Sequence, residues 1–174
     1  TPLIQTITKQ TTTTLNTNLS TNPLEGGIIT SSLDTFNSEA QLVSSESTNS
    51  DGSSLKTVYK HLSDYTNTTC VTAAEGGLCL HDEFLNQNLN NTVLEEIIYN
   101  DNEVISAKGY RYDIEHANIV LKEIFVYDRG QGAFTPSVNG FQFTGSYNSR
   151  ITFDDYDTDG NLLQQKLKDG PPVS

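Results

Sequence analysis

The sequence has no tryptophan, no methionine and only two cysteines, and it has few basic residues. Its 10 Lys and Arg against 22 Asp and Glu give a formal net charge of −12. A surface of this sign repels the phosphates of nucleic acids and of acidic membranes, so we expect no nucleic-acid partner. Because no apolar run approaches the ~18 residues that a membrane helix needs, we also expect no membrane span.

The missing methionine bears on the compartment of the protein. Because the chain begins at Thr1 and contains no methionine, we expect that the initiator and any leader segment were removed, either by processing or because the sequence is a trimmed piece. Export is the simplest reason for such processing. We therefore predict an extracellular or cell-surface protein.

Catalytic signatures are missing as well. The sequence contains no G-x-S-x-G, no H-E-x-x-H and no phosphate-cradling glycine loop. Glu95 and Glu96 are adjacent on a predicted strand, so their side chains point to opposite faces and do not form the facing pair that hydrolysis needs. We predict a protein that is not an enzyme.

Residues 1–50 are half Thr, Ser or Asn. A segment with so few large apolar side chains does not bury enough surface to offset the entropy of ordering it. We predict a low-complexity, extended segment over residues 1–50 and a single β-rich globular domain over residues 51–174.

The stretch from Asn91 to Leu167 is rich in β-branched and aromatic residues, which are grouped in short runs between Asn, Asp and Gly. The runs cover residues 93–99, 104–113, 118–128, 141–147, 150–153 and 162–167. Such runs are typical of antiparallel strands joined by tight turns. The predicted fold class is mainly β (α+β), an antiparallel β-meander or sandwich.

Two short helices are predicted to cover the sheet. Five apolar residues of the first, over 54–65, recur at the spacing of one helix face: Leu55, Val58, Tyr59, Leu62 and Tyr65. In the second, over 80–89, apolar side chains again share one face. Asp82 and Glu83 occupy its first turn, where the helix dipole favours acidic residues.

Cys70 and Cys79 are separated by eight residues that include a Gly pair, which lets the backbone turn back. In an exported protein, an even number of cysteines and a short loop favour a disulfide, which stabilises by roughly 2–3 kcal/mol in the chain-entropy model. The alternative is a zinc site in which His61 and His81 add two nitrogen ligands to the two thiolates. Zinc sites usually leave about two to four residues between cysteines, so the disulfide is favoured.

The dipeptide Tyr-Asp occurs three times, at Tyr112-Asp113, Tyr127-Asp128 and Tyr156-Asp157. The last copy continues as Thr-Asp-Gly-Asn-Leu over 158–162 and is followed by Lys-Asp-Gly-Pro-Pro over 168–172. This stretch, within the last third of the chain, resembles one unit of the YD-repeat (RHS-type) family of secreted β-proteins. The resemblance implies a structural repeat that forms a hairpin and extends a sheet, with no catalytic residue. Elsewhere the chain departs from the family, because Ile-Glu-His-Ala over 114–117 replaces the short glycine turn.

Asp155, Asp157, Asp159 and Gly160 form a D-x-D-x-D-G pattern. Alternate carboxylates of this kind converge on one calcium ion in the first half of a calcium loop, and the glycine permits a sharp turn. The twelfth position of this loop is Lys166 instead of Glu, and strands instead of helices flank it. The pattern leaves two interpretations open, a calcium site and a plain acidic hairpin turn.

These observations favour a non-catalytic structural or assembly protein, such as a pilus-like fibre subunit. A Thr-rich segment has the β-propensity to pair along an exposed sheet edge, but it has too few large side chains to hold itself there. Its apolar residues Leu3, Ile4, Ile7 and Leu15 would fill pockets on a neighbouring copy while backbone hydrogen bonds supply affinity. We predict that residues 1–22 extend outside their own domain, and that the chain assembles with copies of itself or with other surface proteins.

The alternative is a small-molecule or carbohydrate-binding β module. Six aromatic residues lie at alternate positions of the predicted strands: Tyr110, Tyr112, Phe125, Tyr127, Phe141 and Phe143. Because alternate residues share a face, these rings would form a platform for a ligand, unless they form the hydrophobic core instead. The lack of tryptophan counts against sugar stacking. The burial of the six rings distinguishes the two interpretations.

Overall fold

A computed structural model of the chain describes residues 5–12, 29–48, 52–65, 70–129 and 132–168. Within these ranges it contains nine strands, one α-helix and one 3-10 helix. The strands are β1 (Gln5–Thr12), β2 (Ile29–Phe36), β3 (Leu42–Thr48), β4 (Ser54–Lys60), β5 (Glu95–Asn100), β6 (Glu103–Glu115), β7 (Asn118–Asp128), β8 (Asn148–Tyr156) and β9 (Leu162–Leu167). The helix α1 is Leu80–Asn86, and the 3-10 helix is Leu62–Asp64. Each strand pairs with its neighbour in sequence, so the predicted mainly β meander is confirmed.

The chain divides into two compact units, one formed by Thr1–Val58 with Ile98–Ile105 and the other by Tyr59–Ile97 with Ser106–Ser174. The boundary predicted at residue 50 falls between β3 and β4, which pair with each other, and the division into domains stays a prediction. None of the described helices has the length and apolar composition that a membrane span requires.

In the first unit, the Thr- and Ser-rich strands are joined through their backbones. β1 pairs with β2 from Gln5 opposite Phe36 to Thr12 opposite Ile29, and β3 continues the antiparallel ladder. Within residues 29–48, β2 and β3 are therefore paired strands joined by a short turn. A ladder of this kind needs no large side chains, because each residue supplies one backbone donor and one acceptor whatever its side chain.

The predicted placement of the N-terminal segment outside its own domain is wrong for β1. Ile7 lies opposite Asp34 of the chain's own β2, so its backbone groups are already part of an intramolecular ladder. Leu3, Ile4 and Leu15 lie outside the described residues. The part of the segment that the structure describes is thus a strand of the chain's own sheet.

The helix predicted over 54–65 is also wrong. Residues 54–60 form β4, which pairs with β3, and Lys56 lies opposite Glu46 with 4.0 Å between Nζ and Oε2. β-Branched and aromatic side chains such as Val58 and Tyr59 are stiff and suit a pleated strand, and here strand pairing outweighs the helical spacing of the apolar residues. Only the single 3-10 turn of Leu62–Asp64 follows, closed by the backbone N–H of His61 donating to Asp64 Oδ2 at 2.8 Å.

The predicted second helix is confirmed as α1, which is three residues shorter than expected. Its buried side chains, Leu80 and Phe84, enter the core of the second unit. The Phe84 ring meets Tyr112 and Phe141 edge-on, with centroid distances of 5.3 and 5.2 Å. Edge-to-face pairs of this kind add to the burial of apolar area, so α1 is held mainly by the aromatic ring that it inserts.

The strand predicted over 141–147 is a loop. Residues 132–147 connect β7 to β8, and within them Phe141, Phe143 and Tyr147 are buried. Gly109 on β6 makes room for this loop, because a Cβ at that position would lie 2.3 Å from the Phe143 ring. The apolar run is thus explained by burial of a loop and not by strand pairing.

Two hairpin turns use residues other than glycine at positive φ. Between β6 and β7, His116 and Ala117 have φ values of 51° and 64°, and between β5 and β6, Asp101 and Asn102 have values of 46° and 73°. Two consecutive residues at positive φ are the mark of a type I′ turn, whose twist matches that of the flanking strands. Asn and Asp tolerate this backbone, whereas alanine does so at a cost.

We expect Ala117→Gly to stabilise the protein by about 0.5–1 kcal/mol. Glycine relieves the left-handed strain, and part of that gain is offset by greater freedom of the unfolded chain. The matched control is Ala107→Gly, which removes a buried methyl group from β6 and should destabilise by about 1 kcal/mol. Urea unfolding of the three proteins measures both effects, and an Ala117→Gly variant less stable than the parent would contradict the assignment.

Candidate functional site

One cleft of the second unit is lined largely by tyrosines. It has a volume of about 310 Å³ and is bounded by Tyr59, Val93, Glu96, Tyr110 and Tyr112, and we call it the tyrosine pocket. All five of these residues are half-buried. Its size lies at the lower end of the range found for small-molecule sites.

Leu94 fixes the geometry of the tyrosine pocket from the backbone. Its N–H donates to the carbonyl of Lys60 at 2.8 Å, and its carbonyl accepts from the N–H of Tyr110 at 3.0 Å. These two bonds join the end of β4 to β6 through the residue that precedes β5. The side chains of Tyr59, Glu96 and Tyr110 are thereby brought to one cleft although they are far apart in sequence.

Glu96 carries the negative charge of the tyrosine pocket. Tyr110 Oη donates to Glu96 Oε2 at 3.3 Å, and Lys108 Nζ lies 4.0 Å from the same oxygen. Burial, together with the charge of Glu96, raises the pKa of Tyr110 to about 12. The Tyr110 phenol is therefore protonated at neutral pH and acts as a donor to the carboxylate.

Glu95 points away from the tyrosine pocket, as strand alternation requires. It is fully buried and receives four donors. Oε1 accepts from Tyr147 Oη at 2.5 Å and from the Ser137 N–H at 2.9 Å, while Oε2 accepts from Tyr65 Oη at 3.1 Å and lies 3.3 Å from Lys60 Nζ. Burial and the charge of Glu95 raise the pKa of Tyr65 far above its ordinary value.

This arrangement makes Glu95 a structural residue. A carboxyl group without solvent exposure and with four donors offers no atom to a substrate, because both of its oxygens are already engaged by hydrogen bonds and by one ammonium group. From the sequence, Glu95 and Glu96 could be judged only as a possible catalytic pair, which their adjacency excludes. Their actual roles depend on partners that no local pattern reveals.

The six aromatic residues predicted as a ligand platform do not share one surface. Tyr110 and Tyr112 line the tyrosine pocket. Phe125 and Tyr127 contact the 132–147 loop, through Phe143 and Phe134, and Phe141 packs on Phe84 of α1. Tyr127, Phe141 and Phe143 are buried, so the single platform is wrong. Tyr59, the third ring of the pocket, was not predicted as a site residue because residues 54–65 were predicted to form a helix.

Cys70 and Cys79 are both free thiols in this structure. They lie close enough to share a hydrogen bond, which together with partial desolvation raises the pKa of the Cys70 thiol. The loop between them is closed by backbone bonds, with the N–H of Ala73 donating to the carbonyl of Leu78 at 2.8 Å. The chain therefore brings the two sulfurs together as expected, and the disulfide stays a prediction.

The acidic turn between β8 and β9 is organised by Asp157. Its Oδ1 accepts from the backbone N–H groups of Asp159 and Asn161 at 3.0 and 2.8 Å, and its pKa is lowered by hydrogen bonds from Asn161 first and from its other neighbours in the turn. Asp155 and Asp159 are exposed. The neighbouring Asp154 pairs with Lys166, with 2.7 Å between Oδ2 and Nζ.

Metal binding was predicted in two alternatives, calcium at this turn and zinc at the cysteines. Among the described residues, no group of three or more His, Cys, Asp or Glu side chains is arranged to hold a metal ion. The contacts of Asp157 are those of a capped hairpin turn, which needs no ion. Calcium binding stays a prediction.

A second cleft, of about 300 Å³, contains three carboxylates and one lysine. Each of these carboxylates already contacts a backbone N–H group or a lysine of the same chain. Glu75 accepts from the N–H of His116 at 2.7 Å, Asp113 accepts from the N–H of Ala74 at 2.9 Å, and Glu115 pairs with Lys122 at 2.6 Å. These contacts hold the 74–77 turn against the β6–β7 hairpin, so the carboxylates have a structural role.

Glu123 forms the other buried ionic cluster of the second unit. Its carboxylate lies 2.8 Å from an Arg111 nitrogen and 3.0 Å from Lys168 Nζ. Burial opposes ionisation of this group, but bonds from Ser149 and Lys168 and the charge of Arg111 outweigh it and hold the pKa of Glu123 below its ordinary value. Its carboxylate therefore contributes stability in the ionised form.

We expect Glu95→Gln to destabilise the protein by about 3–5 kcal/mol, because it leaves Lys60 without its buried counter-charge and turns one acceptor into a donor facing donors. The neighbouring Glu96→Gln is the matched control. It alters a half-exposed carboxylate with a long ion pair and should cost less than about 1 kcal/mol. Equal losses in chemical denaturation of the two variants would contradict the structural role of Glu95.

The Glu123 cluster predicts a pH dependence. Since the folded-state pKa of Glu123 is lowered, its contribution is present above the unfolded-state value of about 4.3 and is lost as the pH falls through the folded-state value. Glu123→Gln should cost about 1–2 kcal/mol at neutral pH, and the difference from the parent should shrink as the pH falls from neutrality to below ~4. Asp159→Asn, at an exposed position, is the control. A pH-independent difference for Glu123→Gln would refute the assignment.

Comparison of the chain with protein-family models, with curated proteins and with solved structures found no match. The resemblance of the C-terminal stretch to YD-repeat proteins therefore stays a prediction. Its Tyr156-Asp157 pair lies where β8 passes into the turn before β9.

Proposed function

We propose that the chain is an exported, non-catalytic structural protein of the cell surface that associates with copies of itself through the outer edge of β9. The observation that carries this proposal is the exposure of β9, all six residues of which are open to solvent. Within the described residues, β9 pairs only with β8. Its outer edge thus presents unpaired backbone donors and acceptors, which are a template for another strand.

The side chains of β9 favour such pairing. Leu163 is 61% exposed and Leu167 is 82% exposed, so β9 presents two large apolar side chains to solvent. Natural edge strands are often protected by lysine, and Lys166 occupies such a position here. Its charge is partly neutralised by the Asp154 carboxylate of the same chain, 2.7 Å away, so this protection is weakened.

Two copies of β9 are complementary to each other. In an antiparallel pair centred on Gln165, Leu163 of one copy lies opposite Leu167 of the other, and Gln164 lies opposite Lys166. This register places apolar groups together, contains no like-charge pair and satisfies the two-fold symmetry that most homodimers have. Self-association was predicted through the N-terminal strand. We now propose that it occurs through β9, the last strand in the order.

The test is the double variant Leu163→Lys/Leu167→Lys, which places like charges across the proposed pair. Sedimentation velocity over a wide range of concentration should give a dimer for the parent and a monomer for this variant, with unchanged circular dichroism. The matched control is Leu55→Lys/Leu85→Lys, which replaces two other exposed leucines and should remain dimeric.

Two outcomes would overturn the proposal. One is a parent protein that is monomeric at every concentration, and the other is a folded β9 variant that still dimerises. Loss of the dimer in the control variant as well would show that the effect is not specific to β9, which also contradicts a role for β9.

A small-molecule-binding β module is the second candidate, and the tyrosine pocket favours it. The pocket has the size and the mixture of rings and polar atoms that small ligands use. The pocket shares no residue with β9, so one protein is able to have both properties.

A further inference from the structure

We propose that the tyrosine pocket binds a small organic ammonium ion, with Glu96 as its counter-charge. The site shares no residue with β9, so the proposal stands or falls independently of self-association. It assigns a ligand class to a cleft that the proposed dimer does not explain.

The charge of the lining selects a cation. Among the described residues that line the pocket, only Glu96 has a carboxylate, and the other ionisable groups are phenols, of which Tyr110 is held protonated. The chain as a whole carries a net charge of −12, which raises the local concentration of cations. An anionic ligand would meet repulsion from both sources.

The rings of the pocket select an organic cation over a metal ion. Tyr59, Tyr110 and Tyr112 supply three aromatic rings and Val93 supplies an aliphatic wall. Alkylammonium groups are weakly hydrated and are attracted to aromatic rings, whereas a metal ion requires several oxygen ligands. A single carboxylate among rings matches the first kind of ligand.

Glu96 is available to such a ligand. Its described contacts, from Tyr110 and Lys108, are both made to Oε2, so Oε1 is left for a ligand. Lys108 is 46% exposed and lies 4.0 Å away, which makes it a weak partner that a better-fitting cation displaces. Lys108 therefore acts as an internal competitor, and its removal should strengthen binding.

The dimensions of the cleft limit the size of the ligand. A volume of about 310 Å³ accommodates a trimethylammonium head group with a short substituent, and the half-exposed lining keeps the cleft open to solvent. A long polymer would find contacts only for one end group. We therefore use choline as the probe.

The experiment compares choline with 3,3-dimethylbutan-1-ol, which has the same shape and no charge. Both are titrated into the isotopically labelled full chain, and backbone amide shifts are followed by NMR. We expect saturable shifts for choline centred on residues 93–96 and 110–112, and a dissociation constant at least tenfold weaker for the neutral alcohol. Glucose is added as a third probe for the carbohydrate alternative.

Three variants define the role of the charges. Glu96→Gln keeps the shape of the pocket and should weaken choline binding at least tenfold, while Lys108→Gln should tighten it. Glu39→Gln changes the net charge by the same amount at an exposed position outside the pocket and should leave the dissociation constant within about twofold. Thermal melts of the three variants confirm that they are folded.

Several results would overturn the proposal. These are the absence of saturable choline shifts, equal binding of choline and its neutral analogue, or an equal loss of binding in Glu96→Gln and Glu39→Gln. Binding of glucose without binding of choline would assign the pocket to carbohydrate and would likewise refute an ammonium site.

Discussion

A carboxylate that has left water must keep its charge paired, and Glu95 meets this requirement with donors from separate parts of the chain. Lys60 comes from the end of β4, Tyr65 follows the 3-10 helix, and Ser137 and Tyr147 belong to the 132–147 loop. Of the elements that supply these donors, β4 is also held by its ladder with β3. The loop in particular has no ladder of its own, so this carboxylate and the aromatic contacts around it define where the loop lies.

The position next to Glu95 serves a different purpose with the same side chain. Strand alternation turns Glu96 to the opposite face, where three phenol rings and partial exposure replace complete burial. Both oxygens of Glu95 accept from donors inside the protein, whereas the described contacts of Glu96 involve only one of its oxygens. The environment of each group, and not its chemical type, separates a structural role from a binding role.

The meander between Asn91 and Leu167 could be predicted largely from sequence, because its strands are separated by tight turns and pair with their neighbours. The helix α1 could be predicted as well, since Leu80 and Phe84 recur at helical spacing after a turn. Residues 54–65 show the limit of this approach, because apolar residues that happened to fit a helix lie in a strand that pairs with β3. The strands of residues 5–48 were missed because their order comes from backbone pairing, which composition does not report.

The candidate site was even less accessible to sequence analysis. The partners of Glu95 are 30, 42 and 52 residues away for Tyr65, Ser137 and Tyr147, so no local window contains them. Tyr59 joins the tyrosine pocket only because Leu94 links two strands through its backbone. Tyr110 and Tyr112 were recognised as a pair on one face, which is the part of the site that strand periodicity alone predicts.

The same separations in sequence set an order of events in folding. Hairpins such as β6–β7 close short loops and form early, whereas the contacts of the 132–147 loop with Glu95 require long segments of chain to be brought together first. The loop therefore docks late, after the strand that carries Glu95 is in place. By the same reasoning it is among the first parts of the second unit to open in native-state fluctuations, and its release would admit water to the carboxylate before the ladders separate.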